Sequence, residues 1–164
     1  MAKNIEVKAY CGDLAAARAA CEGMGARIVR DDFQTDTYFN VPGVGRMKLR
    51  RNGKGGDSLI WYNRLNSPEL RESDYVKVDL PSGADAVKSL LESALGVKTV
   101  VKKRRKVYAW KSAIVNTDSV EGIGDFVEIE VDVESSGGED AAMQIALALK
   151  RRLGIEKTDI LPFS

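Results

Sequence analysis

Alternating polar and apolar residues cover most of the chain and predict β-strands as its main elements. Strands are predicted over residues 4–10, 27–31, 35–41, 46–51, 58–65, 74–80, 100–110, 112–120 and 125–134. Turn residues separate most of them, such as the Pro-Gly-Val-Gly run at 42–45, which indicates hairpins.

Three helices are predicted between these strands. Asp13 can cap a helix that runs to about residue 22, and apolar residues at helical spacing predict two more over 84–95 and 139–153. Eight or nine strands with about three helices favour an antiparallel sheet that curls closed over a doubly wound parallel one. We therefore predict one α+β domain over residues 1–164, an eight-stranded antiparallel β-barrel with about three flanking helices.

Charged residues repeat at the strand period, so parity places them on shared faces. Long cations dominate the middle strands, whereas carboxylates collect on the first strand and the last two. On a single strand this pattern indicates a solvated outer face. A closed barrel, however, would bring the first and last strands together, and the charged faces could then line its bore.

Composition narrows the chemistry of such a bore. The 164 residues include 25 basic and 24 acidic side chains, so no global field draws the chain towards nucleic acid or an anionic membrane. Histidine is absent, which excludes the usual catalytic triads and most catalytic zinc sites. Cys11 and Cys21 lack metal-ligand spacing, so we assign them no role.

No signal peptide or membrane span is evident in the sequence, so we expect a cytoplasmic protein.

Burying many charged side chains inside a barrel would cost too much free energy unless water and a compensating polyanion also occupied the bore. A triphosphate offers many acceptor oxygens and several negative charges, which suits distributed arginines and lysines. Carboxylates beside it would need a cation, and oxygen ligands favour Mg²⁺ or Mn²⁺.

Several segments resemble the CYTH domain family of class IV adenylate cyclases and thiamine triphosphatases, the triphosphate tunnel metalloenzymes. Residues 4–8 look like its Glu-x-Glu-x-Lys signature, and residues 35–39, 48–50, 61–64, 75–77 and 103–105 continue the match in order. The most specific part is the closing pattern, an acidic strand at 117–120, a Gly-x-Gly turn at 122–124 and Glu-x-Glu at 128–130.

The resemblance implies roles for individual residues. The metal ligands would be Glu6, Asp118, Glu128 and Glu130. The substrate phosphates would be bound by Lys8, Lys48, Arg50, Arg64, Lys77, Lys103 and Arg105. The catalytic residues would be Glu6, Asp118, Lys77 and Arg64, with Asp118 as a metal ligand or as the group that positions water.

Two departures from the family pattern affect these expectations. Asn4 replaces the first glutamate of the signature, which leaves the number of bound metals open. The tail at 157–161 lacks the family's Ser-Tyr pair, which leaves closure of the tunnel at that end open.

Four functions remain for comparison. We expect metal-dependent hydrolysis of a triphosphate, with formation of cyclic AMP from ATP as the first alternative and non-catalytic polyphosphate binding as the second. The basic run at 102–106 could bind nucleic acid, but apolar neighbours place it in a strand, so this function is not expected. The apolar helical stripes predict packing on the outside of the barrel and leave a homodimer open.

Overall fold

Eight antiparallel strands close into a barrel in the computed structural model of this chain, which describes residues 2–64 and 71–161 and only the backbone of Arg64, Arg71 and Glu72. The strands are β1 (Ala2–Tyr10), β2 (Arg27–Phe39), β3 (Arg46–Asn52), β4 (Asp57–Arg64), β5 (Arg71–Leu80), β6 (Val97–Trp110), β7 (Ala113–Val120) and β8 (Gly124–Asp132). Around the barrel their order is β1-β5-β4-β3-β2-β6-β7-β8. The predicted eight-stranded α+β barrel is confirmed.

The first and last strands pair directly, as barrel closure requires. In this pair Glu6 lies opposite Glu130 and Lys8 opposite Glu128. The acidic residues of β1 and β8 therefore share one region of the wall.

Strand β2 was predicted as two strands and is one. The prediction stopped at the polar residues that follow Asp31, because polar runs often mark a turn. Here Asp32 is buried and accepts hydrogen bonds from the backbone amides of Phe33 and Lys54 and from the Arg30 side chain. These bonds replace water, so the polar segment remains inside the sheet.

The helices in the described part of the chain are α1 (Leu14–Gly23), α2 (Ala84–Leu95), α3 (Val133–Ser136) and α4 (Glu139–Arg152), with a 3₁₀ turn at Lys157–Asp159. The prediction missed α3 and extended β8 two residues too far. Asp132 ends that strand because its carboxylate accepts a hydrogen bond from the Ser135 amide and caps α3. None of the described helices is long and apolar enough to cross a bilayer.

The hydrophobic core lies outside the barrel, between its wall and the helices. Ile5 and Val7 of β1 and Ile129 of β8 point outward and pack with Leu149 of α4 in one buried cluster. Because alternate residues face opposite sides of a strand, covering this apolar face directs the polar face inward. Packing by α1 and α4 thus gives the barrel its charged interior.

The substitution Leu149→Ala tests this arrangement. Leu149 is fully buried, so the change should lower the free energy of unfolding by about 2–4 kcal/mol through lost apolar contact and a residual cavity. Chemical denaturation followed by circular dichroism measures the loss. Leu90→Ala in α2 is the control, because that side chain is 67% exposed and its loss should change stability by less than about 0.5 kcal/mol. Equal effects of the two variants would contradict the placement of the core.

Candidate active site

A cavity of about 900 Å³ occupies the interior of the barrel. Its wall is formed by alternate residues of the strands, which is the face opposite the hydrophobic core. The predicted cations on this wall are Lys8, Lys48, Arg50, Lys77, Lys103 and Arg105, and the predicted acids are Glu6, Glu128 and Glu130. The structure therefore brings to one cavity most of the charged residues that the sequence singled out.

One group of cations surrounds Asp36, a fully buried carboxylate in the wall. Arg50 lies opposite Asp36 in the β2–β3 pair and donates two hydrogen bonds to it, of 2.7 and 2.6 Å. The Lys48 and Lys103 ammonium groups lie 3.2 and 3.7 Å from the same carboxylate. Asp36 therefore holds cations from two neighbouring strands in fixed positions.

A second group is built around Asp118, which lies in the wall behind Arg105. Arg105 donates two hydrogen bonds to Asp118, of 2.7 and 2.6 Å, and a third of 3.0 Å to Glu128. Lys103 also lies 3.5 Å from Asp118 and so links the two groups. Since both Asp118 oxygens already accept bonds from Arg105, this carboxylate acts in the structure as an anchor for the guanidinium.

Burial and neighbouring charges shift the pKa values of these cations in different directions. Burial opposes the charge of Arg105, but Asp118 and Glu128 hold its pKa well above the ordinary value. Burial lowers the pKa of Lys103 to about 7, with Arg105 adding to the effect and Asp118 opposing it. Burial also lowers the pKa of Lys48. The arginines are thus firmly charged, and added negative charge in the cavity would favour protonation of both lysines.

Carboxylates crowd the part of the wall formed by β1 and β8. Burial, together with the charges of Glu128 and Glu6, raises the pKa of Glu130 to about 7. The Asn116 amide donates a hydrogen bond of 2.8 Å to Glu130, which orients this side chain. Burial and the neighbouring carboxylates both disfavour the charged form of Glu130, and a bound cation would favour it.

The donor chemistry of this acidic part fits a hard divalent metal, because carboxylate oxygens are the ligands that Mg²⁺ and Mn²⁺ prefer. Within residues 2–64 and 71–161, however, no three acidic or thiol side chains are already placed to hold a metal ion. Side-chain rotation of Glu6, Glu128 or Glu130 would therefore have to accompany binding. Asn4, at the position of the missing glutamate, also lines the cavity and lies opposite Asp132 and Ser73 in its two strand pairs.

The structure describes the two remaining predicted catalytic residues, Lys77 and Arg64, to different extents. Lys77 lines the cavity, but its side chain is 48% exposed and lies 2.9 Å from the carboxylate of Asp79. Arg64 belongs to β4 by its backbone, and its side chain lies outside the described part of the chain. The catalytic roles given to both stay predictions.

The basic run at 102–106 divides between the two faces of β6. Lys103 and Arg105 enter the cavity, whereas Arg104 lies 3.1 Å from Asp31 and Lys106 lies 3.5 Å from Glu22 on the outside. These ion pairs partly neutralise the outward-facing cations of the run.

Sequence reasoning missed the central part played by Asp36. This residue lies in one of the segments that resembled the CYTH family, and the register of β2 places it opposite the cavity-lining Arg50. The resemblance was a signal in the sequence, but the position of Asp36 against Arg50 depends on strand register, which the sequence alone did not provide. Tyr38 and Tyr62, whose rings each lie 5.5 Å from the Lys48 ammonium, were missed for the same reason.

A barrel with a charged bore, closed by pairing of its acidic first and last strands, is the architecture that the sequence resemblance implied. The chain belongs to the CYTH domain family, which matches residues 2–163.

Two relatives and a more distant solved structure are similar to this chain. Adenylate cyclase CyaB of Aeromonas hydrophila is 26% identical over 165 residues, which cover 96% of this chain and 83% of the relative. The PH1012 protein of Pyrococcus horikoshii OT3 is 25% identical and superposes with a TM-score of 0.85 over 98% of this chain and 96% of its own. HpAC1 of Hippeastrum, a protein with a dominant triphosphatase activity, shares the fold at 14% identity, with a TM-score of 0.66 over 94% and 89% of the two chains.

The substitution Asp36→Asn tests whether this carboxylate stabilises the buried cations. It should lower the free energy of unfolding by about 3 kcal/mol at pH 7, because the nearby cations lose their charged partner. Burial alone would raise the pKa of Asp36, but Lys48 and Arg50 hold it well below 3.8. Its stabilising effect is therefore complete above about pH 4 and is lost as the pH falls.

Urea denaturation at pH 7 and pH 3 measures this dependence. The cost of Asp36→Asn should be smaller at pH 3 by about 1 kcal/mol, since the unfolded chain is then largely protonated at this position. Asp31→Asn, which removes the outer-face partner of Arg104, is the matched control and should cost less than about 1 kcal/mol at either pH. An Asp36→Asn variant no less stable than the control would contradict the proposed network.

Proposed function

We propose that this chain is a divalent-metal-dependent enzyme that hydrolyses a triphosphate bound inside the barrel. The observation that carries the proposal is the convergence of Lys48, Arg50, Lys103 and Arg105 on one cavity, where the described residues give these four cations three carboxylate partners, Asp36, Asp118 and Glu128. Phosphate oxygens would supply the negative charge that these four cations still lack.

The arrangement suits a triphosphate better than a single phosphate. Arg50 approaches from β3 and Arg105 from β6, and each is already oriented by a carboxylate that accepts two of its hydrogen bonds. A chain of phosphates could contact both guanidinium groups and the lysines between them. Because the anchors fix these donors beforehand, little reorganisation is needed when charge develops in the transition state.

We assign the metal to Glu6, Glu128 and Glu130, with Asp118 as a further candidate ligand, and we propose Mg²⁺ or Mn²⁺. When bound, such an ion would neutralise phosphate charge and help to polarise the bond that breaks. Glu128 connects the acidic part of the wall to the cations, because it accepts a hydrogen bond from Arg105 and lies opposite Lys8.

We propose that the protein is located in the cytoplasm. The unpaired Cys11 and Cys21 are consistent with that reducing compartment.

In the proposed reaction a water molecule attacks the terminal phosphorus in line with the bridging oxygen. The water oxygen forms a bond to the terminal phosphorus as the bond from that phosphorus to the bridging oxygen breaks. The products are orthophosphate and the remaining diphosphate, which leaves with the bonding electron pair. Arg105, Lys103 and Lys48 would stabilise the charge that spreads over the transferred group, and a carboxylate of the acidic wall would accept the proton of the water. Lys77 and Arg64 remain proposed catalytic cations.

Cyclisation of ATP is the second candidate, and it is favoured by the likeness to adenylate cyclase CyaB of Aeromonas hydrophila. In that reaction the ribose 3′-hydroxyl would attack the α-phosphorus and pyrophosphate would leave. The same cations would serve both reactions, since only the nucleophile and the phosphorus under attack differ.

Product analysis after incubation with ATP or inorganic triphosphate and Mg²⁺ or Mn²⁺ tests the proposal. We expect orthophosphate to be released, and Lys103→Met should lower kcat/KM about 100-fold through loss of a preorganised cation. Lys102→Met is the matched control, because this neighbour is exposed on the outer face of the same strand, and its activity should stay within about twofold of the parent.

Other products would overturn the assignment. Cyclic AMP as the dominant product would select the cyclase, and tight triphosphate binding without turnover would select a binding module. Equal activity of Lys102→Met and Lys103→Met would contradict the location of the site.

The metal assignment has a test that is independent of turnover. Isothermal titration with Mn²⁺ should show binding, and Glu130→Gln should weaken it about tenfold or more. Glu121→Gln, at an exposed position outside the cavity lining, should leave Mn²⁺ affinity unchanged. Unaltered Mn²⁺ binding by Glu130→Gln would remove this residue from the ligand set.

A further inference from the structure

An apolar surface lies at the rim of the same cavity and takes no part in the chemistry described above. It consists of Tyr10, Phe126, Ile123 and Leu161, all of which line the cavity, and is here called the rim platform. The Tyr10 and Phe126 rings lie opposite each other in the β1–β8 pair, with centroids 4.8 Å apart. The Leu161 amide donates a hydrogen bond of 2.9 Å to the Lys8 carbonyl, which attaches the C-terminal segment to β1 beside this pair.

The rim platform continues directly into the charged part of the cavity. Two residues further along the strands from Tyr10 and Phe126, Lys8 lies opposite Glu128. Two residues correspond to about 7 Å along a strand. The Lys8 ammonium lies 5.5 Å from the centre of the Phe126 ring, and Glu128 contacts Arg105. A ligand whose phosphates reach Arg105 would therefore place its other end against the platform.

Two members of the rim platform are exposed enough to contact a ligand, whereas Phe126 is 5% exposed and packs against the Tyr10 ring. Tyr10 is 53% exposed and Ile123 is 58% exposed, although both adjoin a cavity. By contrast, the cavity-lining Tyr38 and Tyr62 are already engaged, because the Lys48 ammonium lies over both rings. Tyr10 is thus an aromatic residue of the cavity lining that offers exposed ring surface beside Lys8.

We propose that the rim platform stacks against a planar ring of the substrate, which makes the substrate a ring-bearing organic triphosphate rather than inorganic triphosphate. The inference rests on the proposed function, because it assumes that the cations of the bore hold the phosphates. Stacking of a heteroaromatic ring on an aromatic side chain is favourable and tolerates different rings, since every such ring has a π-face. A nucleobase and another heteroaromatic ring are two sources of this chemistry, and the substrates tested below distinguish them.

The experiment compares four substrates on the full chain with Mg²⁺ or Mn²⁺ present: ATP, thiamine triphosphate, methyl triphosphate and inorganic triphosphate. We expect the ring-bearing compounds to have the lower KM values. Tyr10→Ala should raise KM for the preferred ring-bearing substrate about tenfold and leave KM for inorganic triphosphate within about twofold. Tyr10→Phe should retain the parent values, because it keeps the stacking face.

Phe33→Ala is the matched control for loss of an exposed aromatic ring. Phe33 is 66% exposed on the outer face of β2, where its ring lies against Arg104, and its removal should change no KM value. Thermal melting of each variant shows whether the fold is intact. A preference for ATP over thiamine triphosphate would identify a nucleobase as the stacked group, and the reverse would identify the other kind of ring.

Failure of this inference can be told apart from failure of the proposed function. If the parent cleaves inorganic triphosphate and Tyr10→Ala affects all four substrates alike or none of them, the rim platform does not select the substrate. If the parent cleaves none of them, the proposed hydrolysis fails, and calorimetric binding of ATP and inorganic triphosphate to the parent and Tyr10→Ala still tests the platform. Equal losses or no losses of affinity for the two ligands would then overturn the inference.

Discussion

Ion pairing between buried cations and carboxylates is the interaction on which the rest of this structure depends. Asp36 and Asp118 each orient one guanidinium, and Lys103 lies within 4 Å of both carboxylates. Burying these cations without partners would be costly, and leaving them in water would give up their fixed geometry. Because Asp36 and Asp118 neutralise these cations only in part, the cavity stays charged and can still bind an anion.

The fold makes this possible by reversing the usual arrangement of a small barrel, in which side chains fill the interior. Here the apolar face of β1 and β8 points outward and is covered by α4, with Leu149 at the contact. The stability of the fold therefore resides mainly outside the wall, which frees the interior for charge and water. Direct pairing of β1 with β8 then places the acidic wall, with Glu130, beside the cations of β6.

Strand parity predicted much of this from sequence, because a period of two assigns every side chain to a face once a strand is recognised. Lys103 and Arg105 were placed together in this way, and both line the cavity. Parity could not show which residues face each other across strands, so the anchoring role of Asp36 was missed. Polarity was also misleading in β2, where the buried Asp32 is stabilised by hydrogen bonds that only the folded chain provides.

The most direct measurement is a crystal structure of the protein with inorganic triphosphate and Mn²⁺, with the metal located by its anomalous scattering. The account predicts the triphosphate inside the barrel, in contact with Arg50 and Arg105, and Mn²⁺ between the phosphates and the Glu128–Glu130 segment of β8. Triphosphate bound only to the outer surface, with the bore filled by water and the Asp36 and Asp118 contacts unchanged, would contradict it.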